Sequence, residues 1–197
     1  DGSNSDDNTD GSNSDDNTDG SNSDDNTDGS NSDDDSNSAR YTNTTDDIDN
    51  HGMTALHNAV VRDKVDAIEL LLSRGANIEA LDNEKQTPLL MAATMGNNEI
   101  IKLLISKGAR IDAVDIFNNT ALHLAAIMDM DDTVELLLNM HAYDINAVND
   151  DGNTALHNAV IGLNGKAVKV LLDHGASHTA LQWAIVRNQY DIIELFK

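Results

Sequence analysis

Apolar side chains are absent from residues 1–38 and dense beyond them, and there they fall into a repeating arrangement. Leu56 and Ala59 put apolar groups on one side of a segment that reads as a helix over about 55–62. Ile68, Leu71 and Leu72 form an i, i+3, i+4 stripe, the mark of a second amphipathic helix over about 65–73. The same couplet returns downstream. Thr54-Ala-Leu-His57, Thr87-Pro-Leu-Leu90, Thr120-Ala-Leu-His123 and Thr154-Ala-Leu-His157 start 33, 33 and 34 residues apart. Each is followed by a small-residue step, Gly75-Ala76, Gly108-Ala109, His141-Ala142 and Gly175-Ala176. The extra residue of the third interval falls at Tyr143-Asp144, in a loop, where repeat proteins absorb insertions.

The punctuation between these stripes has physical reasons. Thr54, Thr87, Thr120 and Thr154 suit helix N-caps, whose hydroxyl accepts from an otherwise orphaned N–H. Pro88 occupies a first helical position, where its missing N–H costs nothing. His57, His123 and His157 stand at N3 and are expected to reach back to the cap, as Gln or Glu does in a capping box. Thr179-Ala-Leu-Gln182 has the capping-box form itself, so Thr179 is expected to cap a further helix. Gly75 supplies the left-handed residue that ends the second helix.

This unit resembles the ankyrin repeat, which reads D-x-x-G-x-T-P-L-H-x-A-A and then V-x-x-L-L-x-x-G-A. The resemblance covers residues 49–197. It implies an all-α solenoid of stacked helix-turn-helix units with short hairpin fingers, divided at about 49–81, 82–114, 115–148 and 149–178 with a partial unit over 179–197. One such unit cannot bury both faces, so the core must run from unit to unit.

Composition changes the picture mainly at the N-terminus. Residues 1–27 are three identical copies of DGSNSDDNT, and a fourth copy from Asp28 decays by Ser38. With nothing to bury and strong self-repulsion, residues 1–48 read as a disordered acidic tail. Asp6-x-Asn8-x-Asp10-Gly11 matches half of a calcium loop, but the twelfth position is Asn17 where a bidentate Glu is needed. Ser3, Ser12, Ser21 and Ser30 each have Asp three residues on, the pattern acid-directed kinases prefer. A solubilising linker is the reading adopted. The tail holds 13 of the 35 acids, which leaves 22 against 12 bases, or −10, for the rest of a chain whose total is −23. That balance disfavours DNA and RNA, whose phosphates need a basic face.

Chemistry is not expected. The chain has no Cys, no phosphate-cradling glycine loop and no metalloprotease or hydrolase motif. His57, His123 and His157 sit on helices about 8–10 Å apart, too far to share a metal. No cofactor or metal is therefore expected, and the chain is read as non-enzymatic. No stretch approaches the ~18 apolar residues of a membrane span. Neither a Met nor a signal segment opens the chain, and it stops at Lys197 within a helical stripe, so it is read as a fragment acting inside the cell, in cytoplasm or nucleus.

The resemblance implies a protein-binding scaffold that meets its partner on a concave face of finger tips and first helices. Ile116 and Phe117 are apolar where fingers are usually polar, and Ile127 and Met128 are placed beside them on the first helix, with Met95 one repeat away. Glu84, Asp150 and Asp151 form an acidic rim. Such a patch is expected to take a segment with Lys or Arg beside an apolar anchor. Because Asn118, Asp129 and His141 replace expected glycines, Ile116 or Phe117 folding inward is the competing reading. Two other roles stay open: the targeting or regulatory part of a larger enzyme or channel, and an ankyrin effector of an intracellular microbe.

Overall fold

A computed structural model describes residues 45–140 and 143–197; the acidic repeats and the His141-Ala142 step lie outside the described residues. Each repeat builds a pair of helices: α1 (Ala55–Val61) with α2 (Val65–Ser73), α3 (Pro88–Thr94) with α4 (Asn98–Ser106), and α5 (Ala121–Ile127) with α6 (Asp131–Asn139). α7 (Ala155–Gly162) follows with α8 (Gly165–Asp173), and α9 (Leu181–Val186) with α10 (Tyr190–Glu194). No strand occurs among the described residues. The odd-numbered helices stack in succession as one row, and α4, α6, α8 and α10 form a second row behind them.

Helices this short are marginal alone, so their stability must come from packing. In the first row Ala59, Ala92, Ala93, Ala125, Ala126, Ala159 and Ala184 are all buried, and their small side chains let neighbouring helices approach closely. Leu56, Leu89, Leu122 and Leu156 fill the space between the rows together with Ile68, Ile101, Val134, Leu137 and Leu171, each almost wholly withdrawn from water. The result is one continuous apolar seam. Leu71 and Leu72 complete the α2 stripe half-buried.

The caps add a polar joint at two of the steps. Thr54, Thr120 and Thr154 accept from the N–H of His57, His123 and His157, and Thr87 accepts from Leu90 N–H at 3.2 Å. The backbone N–H of Thr54 donates to His57 Nδ1 at 3.1 Å, which leaves Nε2 as the protonated nitrogen. That Nε2–H donates across to the next unit, to Gln86 O at 3.1 Å; His123 does the same to Asn153 O at 3.0 Å. The rings of His57 and His123 thus tie the starts of α1 and α5 to the loops that follow them by about thirty residues.

Thr179 does not cap. Only Ser177 to Ala180 separate Ala176 from α9, too few to build a loop like those before it, and His178–Ala180 coil into a 3₁₀ turn. The residue preceding α9 is Ala180 at ψ −13°, whereas Thr54 caps from an extended ψ of 171°, so the Thr179 hydroxyl is never presented to the helix start. With no loop there, His157 keeps its bond from Thr154 N–H but no carbonyl faces its Nε2 as Gln86 O faces His57.

Two predictions follow from this scaffold. Burial holds His123 below the ordinary imidazole value, against hydrogen bonding that raises it, and burial likewise lowers His157. The unfolded chain therefore binds more protons, and stability falls as pH drops below about 6.5 towards the depressed folded values. Melting followed by circular dichroism should show that fall, and His123→Gln, which keeps the capping-box chemistry, should flatten it; an unchanged profile would refute the assignment. Second, Leu163 closes α7 at φ 64°, a left-handed conformation that a branched side chain resists by about 1 kcal/mol or more. It is 63% exposed, so little packing depends on it. Leu163→Asn should raise the melting point by about 2–4 °C.

Candidate protein-binding surface

The loops before each first helix are built on one acidic or amide side chain. Asp82 Oδ1 accepts from Glu84 N–H at 2.9 Å and Gln86 N–H at 2.8 Å, and Asp115 Oδ1 accepts from Phe117 N–H at 2.9 Å and Asn119 N–H at 2.8 Å. Asp49 serves His51 and Met53 in the same way, and Asn149 serves Asp151 and Asn153. A short side chain that gathers the N–H groups two and four residues on is what bends the chain into a finger. Those donors, Met53 N–H foremost, hold the Asp49 carboxyl below the usual carboxylate value. Across each finger base the backbone closes on itself, as Asp115 N–H does on Asn119 O at 3.1 Å. The tip turns through a positive φ at Lys85 and Asn118, where 57° and 59° replace the glycine angles of Gly52 and Gly152. Asn is one of the few residues that adopts that region readily.

Adjacent fingers are then joined along their backbones. Asn83 N–H donates to His51 O at 3.0 Å, Ile116 N–H to Glu84 O at 2.9 Å, and Asp150 N–H to Phe117 O at 3.0 Å. Side chains reinforce the ladder: Asn118 Nδ2 donates to Asp150 Oδ1 at 2.6 Å, and the buried Asn149 Nδ2 to Asn119 Oδ1 at 2.9 Å.

This ladder sets the neighbours of the third finger. The backbone of Ile116 is bonded to that of Glu84 and the backbone of Phe117 to that of Asp150, so two apolar residues stand at one tip between two acidic ones, with Asp151 next along. Both point outward; Phe117 is 58% exposed and Ile116 41%. Inward folding is unnecessary because the finger has a polar interior, in which Asp115 Oδ2 accepts from Asn119 Nδ2 at 3.0 Å and both residues are buried.

Met95, Ile127 and Met128 are exposed as well, but Ile127 and Met128 do not stand beside Phe117. Ile127 is the last residue of α5 and Met128 its C-cap, while Met95 caps the end of α3. The fingers adjoin the opposite ends of these helices, roughly 10 Å away for seven residues at 1.5 Å each. Between the two sites the first helices offer almost nothing: Pro88 to Ala93, Ala121 to Ala126 and Ala155 to Val160 are buried throughout. The surface is therefore a finger-tip cluster and a helix-end cluster separated by a closed floor.

The sequence reading missed Asp49, Asp82, Asp115 and Asn149 as the residues that hold the fingers. The signal was present, since each stands five residues before a capping Thr. No group of three or more His, Asp or Glu able to hold a metal ion occurs among the described residues. His174 spends Nδ1 on Val170 O at 2.8 Å, and His178 packs edge-on against Phe196.

No curated protein matches the chain. Family models do. A model of the ankyrin repeat matches residues 51–83, and a model of ankyrin repeats in three copies matches 75–149 and again 122–197. These matches cover more than half of the sequence and coincide with the stacked helix pairs, so the chain belongs to the ankyrin-repeat family.

Proposed function

We propose that this chain is a non-catalytic scaffold that binds another protein through its fingers, with the tip of the third finger as the anchor site. Ankyrin repeats are generally protein–protein interaction modules. The observation that carries the finer reading is the outward pair Ile116 and Phe117, held between Glu84 and Asp150 by two backbone hydrogen bonds. An exposed aromatic on a rigid ladder loses little freedom on binding, and apolar anchors inside a charged rim are where interfaces concentrate energy. The rim carries Glu84, Asp150 and Asp151 against Lys85 and is net acidic, so the complementary partner segment carries Lys or Arg next to an apolar side chain. Met95, Ile127 and Met128 form a second contact area that a longer segment reaches across the floor. No helix among the described residues is long and apolar enough to cross a membrane.

Affinity capture from a lysate of the source cells, with parent and Phe117→Asp in parallel, tests this. A partner held through this tip should bind the variant about 30-fold more weakly, the equivalent of about 2 kcal/mol, and should be released as salt is raised. Equal retention by both proteins would remove the third finger from the interface. The ladder itself is tested by Asp115→Ala, which strands the N–H groups of Phe117 and Asn119 and should cost about 1–3 kcal/mol in urea denaturation. An unshifted urea midpoint would mean that the finger does not depend on that carboxylate.

A further inference from the structure

The four fingers, held by Asp49, Asp82, Asp115 and Asn149 in turn, are not joined alike. The first and second are tied by Asn83 N–H on His51 O, by Asn83 Nδ2 on Asn50 O at 3.1 Å, and by His57 Nε2–H on Gln86 O. The third and fourth are tied more heavily. There Asp150 N–H donates to Phe117 O, Asn118 Nδ2 to Asp150 Oδ1, Asn149 Nδ2 to Asn119 Oδ1, and His123 Nε2–H to Asn153 O. Between the second and third, the hydrogen bond from Ile116 N–H to Glu84 O stands alone among the described residues. Leu90 fills the histidine position of α3, so no ring nitrogen reaches across to Asn119 O.

The tie between the third and fourth fingers has a buried part. Asn149 is an amide where Asp49, Asp82 and Asp115 are acids. Its Oδ1 gathers the N–H groups of its own finger as theirs do, and only an amide has the Nδ2 donor that crosses to Asn119. Asn119 in turn donates to Asp115, so three side chains, each about nine-tenths buried or more, form one chain through both finger bases. The cost shows at Asn158, whose Nδ2 is buried without a partner: in the first unit the equivalent Asn58 donates to Asp49 Oδ2, an oxygen that Asn149 lacks. At the far end of the helices all three steps are pinned, by Asn97 Nδ2 on Asp63 Oδ1 at 2.7 Å, Thr133 Oγ1 on Asn98 Oδ1 at 2.8 Å and Asn164 Nδ2 on Ala126 O at 2.7 Å. The weak joint is therefore confined to the finger side.

We propose that the third and fourth fingers are one rigid body, with Asn149 as its positioning residue, and that this body hinges against the second finger at the Ile116–Glu84 joint. A buried chain whose members are all bonded resists opening, whereas a single exposed backbone pair opens locally. One consequence rests on the function proposed above: the anchor pair keeps a fixed distance from Asp150 and Asp151 while its distance from Glu84 varies. The partner's basic side chain is then selected by the Asp150 side of the tip.

Amide hydrogen exchange followed by NMR on the 197-residue chain reads this joint with no partner present, so its outcome is separate from that of the binding test. Corrected for intrinsic rates, Ile116 N–H should be about tenfold less protected than Asp150 N–H and Asn83 N–H. Leu90→His supplies the ring that His57 and His123 supply in their units; it should donate to Asn119 O and raise the protection of Ile116 about tenfold. Asn149→Asp keeps an oxygen for the Asp151 and Asn153 N–H groups and offers one to Asn158, but removes the donor to Asn119. It should lower protection at Asp150 about tenfold and leave Asn83 unchanged, whereas a merely structural role would lower both. Equal protection of Ile116 and Asp150 in the parent, a folded Leu90→His with Ile116 unmoved, or an Asn149→Asp with Asp150 unmoved would each overturn the proposal. Should Leu90→His fail to fold, the parent and Asn149→Asp decide it.

Discussion

A helix of seven residues beside one of nine has no stable existence in water, so everything in this protein depends on contact between one repeat and the next. That contact has two parts of different character. The apolar part is the alanine-faced row of α1, α3, α5, α7 and α9, where small side chains allow the helices to approach. The polar part is the histidine ring, which accepts from its own Thr N–H and donates to the next finger's carbonyl. The first is non-directional and supplies most of the energy. The second demands one register, since a buried N–H or ring nitrogen without a partner is expensive. At α3, where Leu90 stands in place of histidine, that joint is absent, while the backbone ladder continues there as elsewhere through Ile116 N–H on Glu84 O.

This division explains where the sequence departs from a regular repeat. The most deeply buried apolar positions of the first helices are Leu, Ala or Val in the four complete units. The turns are set by backbone geometry rather than by side-chain packing, so Lys85, Asn118, Asp63, Asp129 and Asn188 all take the left-handed region that glycine fills elsewhere. Asn and Asp do so at little cost; Lys85 and above all Leu163 do not. Array contacts determine the shape of these turns more strongly than their own residues do.

Much of this was legible in the sequence because it rests on short-range rules. The period, the helix spans, the Thr caps and the reach of His57 and His123 back to those caps all follow from spacings of three and four residues. The outward direction of Phe117 was one of two readings, and it turned on a feature that spacing alone does not weigh: the buried Asp115–Asn119 pair that fills the finger without help from apolar groups. Two errors have one cause. Thr179 matches a cap in sequence but lacks the preceding loop that would extend it, and Ile127 and Met128 match groove positions but sit a helix length from the finger. In both cases a local motif was right about residue type and silent about what the chain does just outside it.

The closed floor between the fingers and the helix ends carries the last consequence. Because Ala121 to Ala126 and their counterparts are buried by their own neighbours, no side chain there is free to change without disturbing the stack. Recognition is left to residues whose side chains are outside the seam while their backbones are fixed by it. The finger tips meet that condition through the ladder, as Ile116 and Phe117 do through Glu84 O and Asp150 N–H. Side-chain identity can then vary at the tip while its position does not, which on the proposed reading separates what this array binds from what keeps it folded.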